Sequence, residues 1–113
     1  MTFPGPNQLR IATAIQFLLA CGAIYEGTAL RNWRAMPADI LAQSPELYSG
    51  YDLSQKIWLA CNGASMLLTL FFMVIALRRR EEIDGGTIQL KWRWSLLFVP
   101  PVCAMLHGAW VWF

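Results

Sequence analysis

Residues 57–77, IWLACNGASMLLTLFFMVIAL, hold no charged side chain and constrain this chain more than any other feature. At about 1.5 Å per helical residue the run reaches about 30 Å, the thickness of a bilayer's hydrocarbon core. Backbone amides surrounded by lipid must find partners within their own segment, so the run predicts a transmembrane helix. Arg78, Arg79 and Arg80 end it abruptly. Composition agrees: 57% of the 113 residues are hydrophobic and 14% charged, whereas soluble domains are about 25% charged. A soluble fold of this length has too little interior for so much apolar surface.

Two further spans flank the first. Residues 11–30 are apolar as far as Tyr25 apart from Thr13 and Gln16, and then meet Glu26. Leu18-Leu19-Ala20-Cys21, behind Arg10, has the outline of a lipoprotein cleavage box. Leu19 stands where a smaller or β-branched residue is usual and two more spans follow, so a retained helix is expected. Residues 94–113 form the third span. Pro100 and Pro101 each remove an amide and crowd the carbonyls of Leu96 and Leu97, which predicts a kink. The fold expected is all-α and integral to a membrane, with three transmembrane helices (about 11–30, 57–77 and 94–113) in one domain covering 1–113, the third helix proline-kinked.

The connections are polar. Residues 1–8, with two prolines, are expected to form an irregular cap. In the first loop, residues 31–56, short surface helices are expected near Pro37 and at Ser44-Pro45-Glu46, with Ser44 as N-cap and Pro45 at the first helical position. Ile40, Leu41, Leu47, Tyr48 and Tyr51 give this loop an apolar side. Asp52 and Gln55 suggest a capping box for the second span. In the second loop, residues 78–93, Asp84-Gly85-Gly86 signals a turn. Beyond it Ile88, Leu90 and Trp92 alternate with polar residues, as in a short hairpin or as the lead-in to the third helix.

Orientation follows from charge. One side of the membrane would carry Arg10, Arg78, Arg79, Arg80, Lys91 and Arg93, and the other Arg31, Arg34 and Lys56. Positive charge favours the cytoplasm, which puts the N-terminus inside and the C-terminus outside a cell's inner membrane. Trp92 and Trp94 would mark the inner interface, and Trp33, Trp58, Trp110 and Trp112 the outer one.

Under this topology Glu26, Asn62 and His107 fall at one depth, roughly 6–9 Å below the outer edge. Polar groups in the hydrocarbon region usually face the bundle or a cavity, so these three are the candidate cofactor-binding residues. His107 would ligate a haem iron or a chlorophyll magnesium, or hydrogen-bond a quinone; Ala104 and Gly108 leave room for a flat ring. The pattern over residues 103–112, a histidine with small neighbours and tryptophans beyond, resembles antenna polypeptides of purple bacteria. Cys103 stands where their alanine falls four before the histidine, and their single-span build is absent. The resemblance implies tetrapyrrole ligation by His107. The plainer alternative is that His107 hydrogen-bonds Glu26, Asn62 or a carbonyl freed by the proline kink. Glu26 is equally suited to pair with Arg31 or Arg34.

Thr13, Gln16, Ala20, Ala23 and Gly27 share one face of the first helix, and Asn62, Ser65 and Thr69 one face of the second. Small and weakly polar stripes of this kind let helices approach closely in lipid. Cys21, Cys61 and Cys103 match no zinc spacing and read as small buried hydrophobes. The chain has no basic face for nucleic acid, no nucleophile–base pair outside lipid, no carboxylate dyad and no metal cluster. No enzymatic activity is expected. Three functions remain: an accessory subunit packing against other transmembrane subunits and membrane lipids, of respiratory or photosynthetic electron-transfer type; a tetrapyrrole- or quinone-binding module; or a small transporter formed by oligomerisation.

Overall fold

A computed structural model describes residues 4–113, the side chains of Ala38, Leu41 and Ala42 excepted. It consists of α1 (Pro6–Arg34), α2 (Ala38–Gln43), α3 (Pro45–Arg78), α4 (Arg80–Asp84) and α5 (Ile88–Trp112), with no strand among the described residues. Three helices, α1, α3 and α5, are long and apolar enough to cross a membrane. The molecule measures 59 × 24 × 18 Å, the long axis exceeding the roughly 40–45 Å of a whole bilayer.

Helix ends lie where the backbone finds a stop, beyond the limits of the apolar runs. Pro6 opens α1, and the Gln8 side chain accepts from the Gly5 amide. Leu41 and the first three residues, which belonged to expected surface features, lie outside the described side chains and residues. Pro45 opens α3, with Ser44 before it and Glu46 in the first turn as expected, although the Ser44 side chain makes no cap hydrogen bond. Nothing after Pro45 breaks the helix, so it runs for 34 residues. Asp52 is therefore not a cap. It lies inside α3 and pairs with Lys56 one turn on, at 2.9 Å.

The hairpin reading of residues 88–93 gives way to helix. Thr87 caps α5 by accepting from the Leu90 amide at 3.3 Å, and a capped helix overrides a short two-residue alternation. The turn itself is made by Gly85 and Gly86. A Cβ on Gly86 would lie 2.6 Å from Leu90 Cδ2 and 3.0 Å from the Glu82 carbonyl, so a side chain would crowd the turn and displace Leu90. The α5 helix continues through Pro100 and Pro101, both buried.

The span with the most interrupted hydropathy, α1, is the centre of the bundle. It packs along both α3 and α5, which touch each other far less. Its buried residues are Leu9, Ala12, Gln16, Ala20, Ala23, Gly27 and Leu30, at spacings of three and four. Toward the N-terminal end Leu9 and Ala12 meet Phe72, Trp94 and Leu97. Trp94 is thus a core residue and not part of an interfacial belt; its ring meets Phe72 edge-on at 6.4 Å. Midway, Gln16 is fully buried. Its amide donates to the Thr69 hydroxyl at 3.1 Å and to the Ser65 carbonyl at 3.3 Å, and its carbonyl accepts from the Ser65 hydroxyl at 2.7 Å. Further along, Ala20, Ala23 and Ala104 pack with Trp58 and Cys61. Two of the cysteines are not buried as expected: Cys21 and Cys103 face outward, and Cys61 is half-buried. Cys21 and Cys103 lie on outward helix faces, while Cys61 packs beside Gly22.

Candidate functional site

Gly27 forms the floor of a notch where all three long helices meet. A Cβ placed there would lie 3.0 Å from His107 Cε1, 3.1 Å from His107 Nδ1 and 3.1 Å from Trp58 Nε1. Only glycine lets α1 come this close to a tryptophan on α3 and a histidine on α5. The two nitrogens, each 3.1 Å from one point, are about 6 Å apart at most, within reach of two hydrogen bonds of about 2.9 Å. Both are buried and neither has a hydrogen-bond partner.

Their chemistry is complementary. The Thr28 hydroxyl donates to the Ile24 carbonyl one turn back, at 2.9 Å. Its proton is used there, so Thr28 Oγ1 accepts from His107 Nε2–H at 3.2 Å. That places the imidazole proton on Nε2 and leaves Nδ1 as a buried acceptor. Trp58 Nε1–H is a buried donor. One donor and one acceptor thus face the same small space, the complement of a single water or hydroxyl. Trp110 closes the far side of the imidazole, with ring centroids 5.2 Å apart, and Trp58 meets Trp112 edge-on at 5.8 Å.

Of the three residues predicted for the site, His107 alone reaches the notch. Asn62 turns back on its own helix and donates to the Trp58 carbonyl at 2.9 Å. Glu26 is half-buried on α1 and no ion pair joins it to Arg31 or Arg34 among the described residues. Those arginines cap α5 instead. Arg31 donates to the Trp110 carbonyl and stacks on the Trp110 ring at 4.1 Å. Arg34 donates to the Val111 carbonyl at 2.6 Å and stacks on the Trp112 ring at 4.7 Å. The last carbonyls of a helix lack intrahelical donors and carry its negative pole, so cations are favoured there.

Thr28 and Trp58, the actual neighbours of His107, were not among the expected site residues. Laying Arg34 level with Phe113 would have found Thr28. It stands six residues before Arg34, as His107 stands six before Phe113, and α1 and α5 run parallel. A flat macrocycle fits the notch poorly. Ligation through Nδ1 would put the ring into the contact between Gly27 and Trp58, and ligation through Nε2 would break the Thr28 bond. No metal-holding cluster of three or more histidine, cysteine or acidic residues exists among the described residues. Comparison with known protein families, with curated proteins and with solved structures finds no match to this chain.

Proposed function

We propose that this protein is a small accessory subunit of a larger membrane complex, packing against partner transmembrane helices. The observation that carries the reading is the placement of α3. It is the most apolar of the three spans, yet 11% of its apolar window is buried, against 28% for α1 and 33% for α5. It leans mainly on α1 and touches α5 far less, and Met66, Leu67, Leu70, Phe71, Met73, Val74 and Leu77 all face outward. A helix held along one side, beside a bundle whose interior polar groups are mostly matched, suits addition to a larger helical assembly.

The membrane in this reading is a cell's inner (plasma) membrane, with the N-terminus cytoplasmic and the C-terminus outside. Support comes from charge: Arg10, Arg78, Arg79, Arg80, Lys91 and Arg93 share one end of the bundle, and Arg31, Arg34 and Lys56 the other. Extraction from native membranes in mild detergent tests the function. Other transmembrane chains in fixed ratio are expected; recovery of the 12.8 kDa chain alone contradicts it.

A second reading, a cofactor-binding module with His107 as ligand, is favoured by the unpartnered His107 Nδ1 and Trp58 Nε1. The space between them suits a water-sized guest or the edge of a quinone carbonyl better than a tetrapyrrole. A visible-range spectrum separates the readings. Haem or pigment would absorb in the wild type and vanish in His107→Ala, whereas a colourless preparation is expected of the accessory subunit.

A further inference from the structure

We propose that the groove between the amino-terminal parts of α1 and α5 binds the phosphate headgroup of one anionic phospholipid. Its lining is Leu9, Arg10 and Thr13 from α1 and Arg93 and Leu96 from α5, around a volume of about 150 Å³. Arg10 immediately precedes the apolar span of α1, and Arg93 that of α5. Because the two helices are parallel and in contact, both arginines lie at one end of the bundle, just outside the apolar spans, where lipid headgroups would be.

The arginines of this chain divide by what they touch. Arg31 and Arg34 hold the end of α5, Arg79 pairs with Glu82 at 2.9 Å, and Arg80 pairs with Asp84 at 3.7 Å. Arg10, Arg78 and Arg93 have neither an ion pair nor a hydrogen bond among the described residues, and of these Arg10 and Arg93 line the groove. Two unpaired cations on neighbouring helices, with no carboxylate lining the groove between them, are complementary to a phosphate.

Below the arginines the lining becomes apolar. Thr13 and Leu96 stand three residues further into their helices, about 4.5 Å deeper. The Thr13 hydroxyl donates to the Leu9 carbonyl at 2.7 Å, which occupies its proton and leaves its methyl group for the groove. A charged mouth over an apolar floor at the bilayer surface matches a headgroup over an acyl chain. A soluble phosphate would use the mouth alone. The site is separate from the Gly27 notch and from the outward face of α3, and does not depend on a partner subunit.

Native mass spectrometry of the full chain tests this, with phosphatidylglycerol and phosphatidylcholine as probes. The wild type is expected to retain one phosphatidylglycerol and no phosphatidylcholine. R10Q/R93Q is expected to lose affinity about thirtyfold, the effect of two cations at a bilayer surface. R10K/R93K keeps both charges and is expected to keep most of the affinity. R78Q removes an exposed arginine that does not line the groove and is expected to bind like wild type. Millimolar inorganic phosphate should leave the lipid in place. Equal retention of the two lipids, a loss in R78Q as large as in R10Q/R93Q, or displacement by inorganic phosphate would overturn the proposal.

Discussion

At the scale of single residues, the bundle depends on positions where a side chain is missing. Gly27 admits Trp58 and His107 together, and Gly22 admits Cys61 Sγ, which would lie 3.0 Å from a Cβ at that position. Gly63, by contrast, has nothing within 4 Å of its Cβ position. Gly27→Ala is therefore expected to cost about 1–3 kcal/mol, as overpacking does in a filled core. Gly63→Ala should be neutral or slightly stabilising, since alanine is the better helix former. Reversible unfolding in mixed micelles distinguishes the two; equal stabilities would contradict the notch. The stripe Gln16, Ala20, Ala23 and Gly27 was legible because buried small residues repeat at three and four. The notch was not, because it depends on which residues of three helices come level. His107 turns its ring toward Gly27 on α1. Its partner was missed because the end of α1 was set by the end of hydrophobicity at Leu30, whereas the helix continues to Arg34.

At the scale of elements, the number and type of helices could be read directly, and their ends could not. Hydrophobic length records where lipid touches the chain, while a helix continues into water until a breaker stops it. That is why α3 begins at Pro45 and the turn before α5 falls at Gly85 and Gly86. The central place of α1 was also obscured. A helix enclosed on two sides needs small and hydrogen-bonding residues, which lower its hydropathy, so the weakest apolar signal marked the innermost span. The α1–α5 contact is fastened at one end by Arg31 and Arg34. Each stacked arginine is worth about 0.5–1 kcal/mol at an exposed site, and their removal leaves the last carbonyls of α5 without these donors. R31A/R34A is expected to speed amide exchange in the final turn of α5 by about tenfold, a change of about 1.4 kcal/mol. Unchanged exchange there would show that α5 ends as firmly without the clamp.

At the scale of the whole molecule, the helices meet at three levels and the exterior is apolar. Near the N-terminal end of α1 the contact is aromatic and aliphatic, midway it is the Gln16–Ser65–Thr69 network, and near the other end it is the Gly27 notch and the arginine clamp. All three levels involve α1, and α3 contributes only Ser65 and Phe72 as fully buried residues. The long outward face of α3 is thus the surface through which this protein would join an assembly. A photoreactive residue placed in native membranes tests this most directly, at Leu67, which is 71% exposed, and at Ala23, which is 2% exposed. The account predicts that position 67 joins one protein of defined mass, while position 23 joins only helices of its own chain. Adducts with lipid alone at position 67 would contradict it.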